Sequence, residues 1–205
     1  MVRPEIFTEA AARSDGVSLA DLLHLHGRAT WPALLLVLAV LSTLPFASLG
    51  TVLSLPMIAL ALRWPRPRHL LPSVASAPLP RRVLEVRLGE RWSRRCLTLL
   101  ATLYTTARAT MRRRLTACRH PRTFIGWRVW IAAMSVLILM PIPFGNLLPG
   151  VSLILLSLGW IYKDGVALLL SLVAGAAALG WCALSAHVLW ALLQAGFEWT
   201  VRVFA

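Results

Sequence analysis

Ten residues constrain this chain more than any others: Pro141-Ile142-Pro143-Phe144-Gly145-Asn146-Leu147-Leu148-Pro149-Gly150. They lie inside an uncharged run of 34 residues, from Val129 to Tyr162. An apolar run of that length normally forms an unbroken helix in a bilayer, because hydrocarbon offers no partner to an open backbone N–H or C=O. Three prolines and two glycines make such a helix untenable here. The break must therefore be sheltered by protein or line a wet cavity.

A second uncharged run, Ala29 to Leu62, is also 34 residues long. As one helix either run would reach about 51 Å, against a hydrocarbon core of ~30 Å. Neither is long enough for two full spans of about 20 residues each. The economical solution is a compressed or re-entrant hairpin in each run. For the first, a helix is expected from about Trp31 to Leu44, then a break among Pro45, Gly50 and Pro56, then a helix to about Arg63.

Composition agrees with a bilayer: 58% of the residues are hydrophobic and the mean hydropathy is +0.72. The net charge of +13 is unevenly placed. From Arg63 to Arg128 there are 16 basic and two acidic residues, and the rest of the chain is close to neutral. A basic block between two apolar runs follows the positive-inside rule, which favours membrane topology over nucleic acid as its cause. The three cysteines form no CxxC pair, so no disulfide framework or metal site is expected. The first 28 residues contain four acids and lack the basic-then-apolar order of a secretory signal.

Other segments follow in order. Ser18 to Asp21 matches a helix-capping pattern, and His24 and His26 read as interfacial histidines. Residues 65–122 form a basic linker dense in proline, followed by an amphipathic helix from about Trp92 to Cys118. Its basic residues Arg94, Arg95, Arg108, Arg112 and Arg113 are the candidates for anionic lipid headgroups, by specific binding or by simple adhesion. Tyr162-Lys163-Asp164-Gly165 reads as a turn. The run 165–197 has no proline and reads as one long transmembrane helix. It carries a small-residue patch, Ala174 to Gly180, suited to close helix contact. Its lone His187 reads as a packed residue or, alternatively, as part of a proton relay.

The two 34-residue runs look like repeats. Gly50-Thr51-Val52-Leu53 aligns with Gly145-Asn146-Leu147-Leu148, each flanked by prolines and by tryptophans at the run ends. Both hairpins touch the basic block, so both should open toward the cytoplasm. Paired broken helices mark either a binding or transport site or a packing device. The candidate substrate- or ion-binding residues are Ser48, Gly50, Thr51, Ser54, Pro141, Phe144, Gly145, Asn146 and Pro149. No catalytic pair, phosphate loop or metal cluster is found, and neither a cofactor nor an enzymatic activity is expected.

The segment Ser18 to Leu23, the break from Leu44 to Pro56, the string PIPFGNLLPG and Lys163-Asp164-Gly165 together resemble the ExoD family of exopolysaccharide synthesis membrane proteins. The resemblance implies a multi-pass inner-membrane protein tied to exopolysaccharide production. The expected fold is an all-α integral membrane domain: a broken hairpin at 29–64, the basic linker and amphipathic helix at 65–122, a second broken hairpin at 127–162, and a transmembrane helix at 165–197. Two functions fit it. One is a transporter or channel-like protein with its site at the two breaks. The other is a non-catalytic assembly or regulatory partner of a polysaccharide synthesis or export machine. Expected partners are the bilayer, anionic headgroups and further copies of the chain, with no nucleic acid.

Overall fold

The computed structural model describes residues 30–43, 49–63, 90–112, 123–140 and 145–204. These residues form six α-helices and no strand. They are α1 (Thr30–Ser42), α2 (Leu49–Arg63), α3 (Glu90–Thr110), α4 (Phe124–Leu139), α5 (Leu147–Tyr162) and α6 (Gly165–Phe204). The N-terminal capping pattern, His24, His26 and the proline-rich linker lie outside the described residues.

Each uncharged run is divided into two helices, α1–α2 and α4–α5, of 13 to 16 residues or about 20–24 Å. The first break is tighter than its composition suggests. Gly50, Thr51, Ser54 and Pro56 all lie within α2 rather than in the break, and Pro149 and Gly150 lie within α5. Pro149 falls in the first turn, where a missing N–H costs nothing. Pro56 sits in mid-helix, where it leaves the Val52 carbonyl without its usual helical donor.

The hairpins are interlocked. α1 packs chiefly on α5, and α2 on α4, more extensively than either hairpin packs on itself. Exchanging the hairpins exchanges one pairing for the other. Both hairpins also point the same way. At one end, Arg128 near the start of α4 donates from Nε to the Ala61 carbonyl at 3.0 Å and from a terminal nitrogen to Leu62, closing the end of α2. There too Phe124 of α4 stands edge-on to Trp160 of α5, ring centroids 6.4 Å apart. All four break-side ends meet at the other end. α1 forms the centre of the core, with Ala33 to Leu41 buried throughout.

Lys163, in the left-handed region at φ 61°, turns the chain from α5 into α6. Asp164 is 4% exposed and carries the junction. Its Oδ1 accepts from the Val166 N–H at 2.9 Å, capping α6, and its Oδ2 accepts from the Arg112 N–H at 3.1 Å, tying down the end of α3. Tyr162 adds a second tie, donating its hydroxyl to the Tyr104 carbonyl at 3.3 Å.

α6 lies along α5 and touches α4. Trp130 Nε1–H donates to Ser152 Oγ at 3.2 Å, and Ser152 Oγ–H donates to the Ser171 carbonyl at 2.7 Å, so one polar knot joins α4, α5 and α6. Gly175 abuts this knot. A Cβ there would lie 2.2 Å from Trp130 Cζ2. The small-residue patch is thus partly consumed inside the molecule, with Gly175 and Ala178 buried and Ala176, Ala177 and Gly180 exposed. The helix runs well beyond the expected 165–197, for 40 residues. Gly165–Thr200 is long and apolar enough to cross a membrane.

Replacing Asp164 by Ala should cost about 1–3 kcal/mol through the loss of a cap and of the acceptor for the Arg112 N–H. Asp164→Asn keeps one acceptor oxygen, enough for the cap of α6 but not for the Arg112 N–H as well, and should cost less than Ala. Thermal unfolding of the two variants in detergent checks the order.

Candidate functional site

The break-side ends of the hairpins meet through two close approaches. Gly50, in the first turn of α2, lies against Asn146. A Cβ at Gly50 would be 2.3 Å from Asn146 Nδ2 and 3.5 Å from Ile138 Cγ2, near the end of α4. Gly150, in the first turn of α5, lies against the end of α1, where a Cβ would be 2.5 Å from Thr43 Cγ2 and 3.7 Å from the Ala39 carbonyl oxygen. Glycine is required at both places because helix backbone comes up against a side chain with no room for another carbon.

Asn146 occupies the N-cap position of α5, yet its side chain makes no cap hydrogen bond. An Asn there normally accepts from its own helix. This one is directed across to the other hairpin instead. The break end therefore gathers the first N–H groups of α2 and α5 and the last carbonyls of α1 and α4. Ser42 and Thr43 close part of that set, donating to the Ala39 and Val40 carbonyls at 2.8 and 2.7 Å.

Of the residues expected at the site, Gly50, Gly145, Asn146 and Pro149 are at this end. Thr51 is half-buried in the first turn of α2. Ser54 is displaced: it is fully buried one turn along α2 and donates to the Thr51 carbonyl at 2.6 Å, so its hydroxyl is spent within its own helix. Ser48, Pro141 and Phe144 lie outside the described residues. Ser42 and Thr43 were missed. Their signal was present, since two hydroxyl side chains stand just before Pro45, where a helix must end.

The basic helix α3 buries Cys96, Leu97, Leu100, Ala101, Tyr104 and Ala107, and contacts α1 and α5. Arg94, Arg95, Arg108 and Arg112 are exposed, and Arg113 lies outside the described residues. Between the two arginine pairs, Thr98, Thr102 and Thr105 donate back to helix carbonyls four residues earlier, at 2.8–2.9 Å, leaving the arginines as the charged groups of that face. Burial pushes the Cys96 thiol up to about 12 and the Tyr104 phenol well above its usual range.

Two broken helical hairpins, interlocked and joined to a long apolar helix, define a class of helical protein built around a paired backbone break. The family follows from comparison. The chain matches the family model described as "Exopolysaccharide synthesis, ExoD" over residues 5–184, and it belongs to that family. Membership ties it to exopolysaccharide synthesis. No curated protein and no solved structure matches it.

Gly50→Ala should destabilise the fold by about 1–3 kcal/mol through overpacking. Adding Asn146→Gly should recover part of that loss, because it removes the atom a methyl would strike. A double-mutant cycle of melting in detergent reads the coupling. Cys96 supplies a separate check on α3. In the folded protein at pH 8, N-ethylmaleimide should modify it at least about 100-fold more slowly than after denaturation, since only the thiolate reacts.

Proposed function

We propose that the chain is a multi-pass inner-membrane protein that moves a solute for exopolysaccharide production, with the meeting point of the two hairpin breaks as its site. The observation that carries this reading is the contact of Gly50 with Asn146. It brings two helix starts and two helix ends from separate repeats to one place, the arrangement that broken-helix transporters use to handle a substrate with backbone groups. Irregular backbone at membrane depth is tolerated where it is buried in protein or faces water, and this end offers both protein shelter and the side chains of Asn146 and Thr51.

The basic residues support the placement in the bilayer. Arg63, Arg128 and Lys163 mark the end of the bundle opposite the breaks, and by the positive-inside rule they favour that end for the cytoplasmic headgroups. The hairpins then enter from the cytoplasmic side and turn back. α3 lies at the surface with Arg94, Arg95, Arg108 and Arg112 toward anionic lipid, each contributing about 1 kcal/mol near the surface. The reading assigns the chain no covalent chemistry.

Reconstituted vesicles decide it. Flux of a small ion or a polar solute should depend on the protein. It should fall several-fold in Asn146→Ala and Thr51→Ala at equal protein content. The absence of any protein-dependent flux, together with normal exopolysaccharide output from cells carrying both variants, would remove the transport reading.

A further inference from the structure

Three cations gather where α3, α5 and α6 are tied together. Arg112 donates its backbone N–H to Asp164 Oδ2 at 3.1 Å, so its side chain starts beside the α5–α6 turn. Arg108 lies one helical turn back along α3, near enough for its charge to act on the Tyr162 phenol. Lys163 forms the turn itself. All three side chains are exposed, and none forms an ion pair with a described acid.

The carboxylate among them does not balance this charge. Asp164 is buried, and its two oxygens are taken by the backbone N–H groups of Val166 and Arg112. Set against three cations, it leaves two positive charges over. Tyr162 braces the same junction, with its hydroxyl on the Tyr104 carbonyl and the two rings 6.3 Å apart. The cations are therefore held near one another by ties that their own charges do not supply. Like charges one turn apart destabilise a helix unless an anion lies between them.

Lys163 is also strained where it stands. It is the one non-glycine residue with a positive φ among the described residues, at 61°. A chain that leaves a helix in this left-handed conformation usually does so at glycine, sometimes at asparagine, because a Cβ is crowded there. A lysine accepts that strain and places a third cation, on a flexible arm, at the junction.

We infer that Arg108, Arg112 and Lys163 bind one phosphate group. A phosphate presents charged oxygens in several directions, whereas a carboxylate presents one edge that a single Arg fork fills. Two guanidinium forks and one ammonium point charge suit the phosphate. Lipid headgroups and soluble phosphate compounds both carry this group. The lipid source rests on the membrane placement above, which puts this end of the bundle at the headgroups, and none of it depends on transport. The site separates these cations from Arg94 and Arg95, about 20 Å back along α3, which serve only general attraction to an anionic surface.

The test is thermal unfolding of the full chain in detergent micelles, with dioleoyl phosphatidic acid, dioleoyl phosphatidylcholine or inorganic phosphate added. Phosphatidic acid should raise the midpoint by several degrees, and phosphatidylcholine should not. Lys163→Gly and Arg112→Gln should each lose most of that rise. The paired change Arg94→Gln and Arg95→Gln should keep it. Lys163→Gly carries its own folding control: glycine suits the turn, so without additive this variant should melt no lower than the unaltered chain. A rise with inorganic phosphate as well supports the site and assigns it a soluble phosphate; a rise with phosphatidic acid alone supports the site and assigns it a lipid. The inference is overturned if neither raises the midpoint, if the Arg94 and Arg95 changes abolish the rise as fully as Lys163→Gly, or if Lys163→Gly melts far lower without additive. A chain recovered in the soluble fraction of cells would overturn the membrane placement and the lipid source, and the rise with inorganic phosphate would then decide the site alone.

Discussion

Every break in an apolar helix leaves backbone donors and acceptors to be satisfied, and an unpaired one buried away from water costs about as much as a lost hydrogen bond. This chain makes two such breaks in stretches that carry no charge at all. The rest of the molecule is arranged to shelter them. The helix ends that flank them lie against each other, Gly50 against Asn146 and Gly150 against the end of α1, so each hairpin packs on helix ends of the other. Ser42 and Thr43 take two of the carbonyls directly. The extensive pairing of α1 with α5 and of α2 with α4 follows from the same need, since hairpins that merely stood side by side would leave both tips open.

The opposite end is built on different chemistry. Arg128 caps α2, Asp164 caps α6 and holds α3, and Tyr162 binds the α3 backbone. These are charged or phenolic groups, which suit the headgroup region. The break end uses small side chains, hydroxyls and one carboxamide, which fit tight spaces with little desolvation. One bundle thus has a polar, basic base and a close-packed tip, and α6 extends past that tip.

Much of this was legible in the sequence. The two equal apolar runs, their division in two, the turn at Lys163-Asp164 and the amphipathic character of α3 follow from length, proline content and spacing. The family resemblance rested on PIPFGNLLPG and Lys163-Asp164-Gly165, and the family match agrees with it. What could not be read was which residues of a Pro/Gly-rich stretch are helical. Gly50 and Pro149 look like breakers, yet both sit in first turns, where open backbone is expected and proline is at home. Ser54 looked like a site residue because a hydroxyl close to a break resembles a ligand. Its bond to the Thr51 carbonyl is local and depends on where the helix begins. The Ser152–Ser171 knot was invisible because it joins residues whose pairing is set by the register of α5 on α6. The small-residue patch was read as one surface, but a helix turns about 100° per residue, so half of it faces α4 and half faces outward.

The central claim is that the two breaks lie together at one end of a bundle whose hairpins point the same way. A short thiol-reactive linker of about 10 Å, the usual spacing of packed helices, tests it most directly in intact membranes. With Thr51→Cys and Leu147→Cys in one chain, both at the tips, the account predicts efficient intramolecular linkage. Linkage instead between Thr51→Cys and Trp160→Cys, a tip and a base, would mean the hairpins oppose each other, and would contradict it.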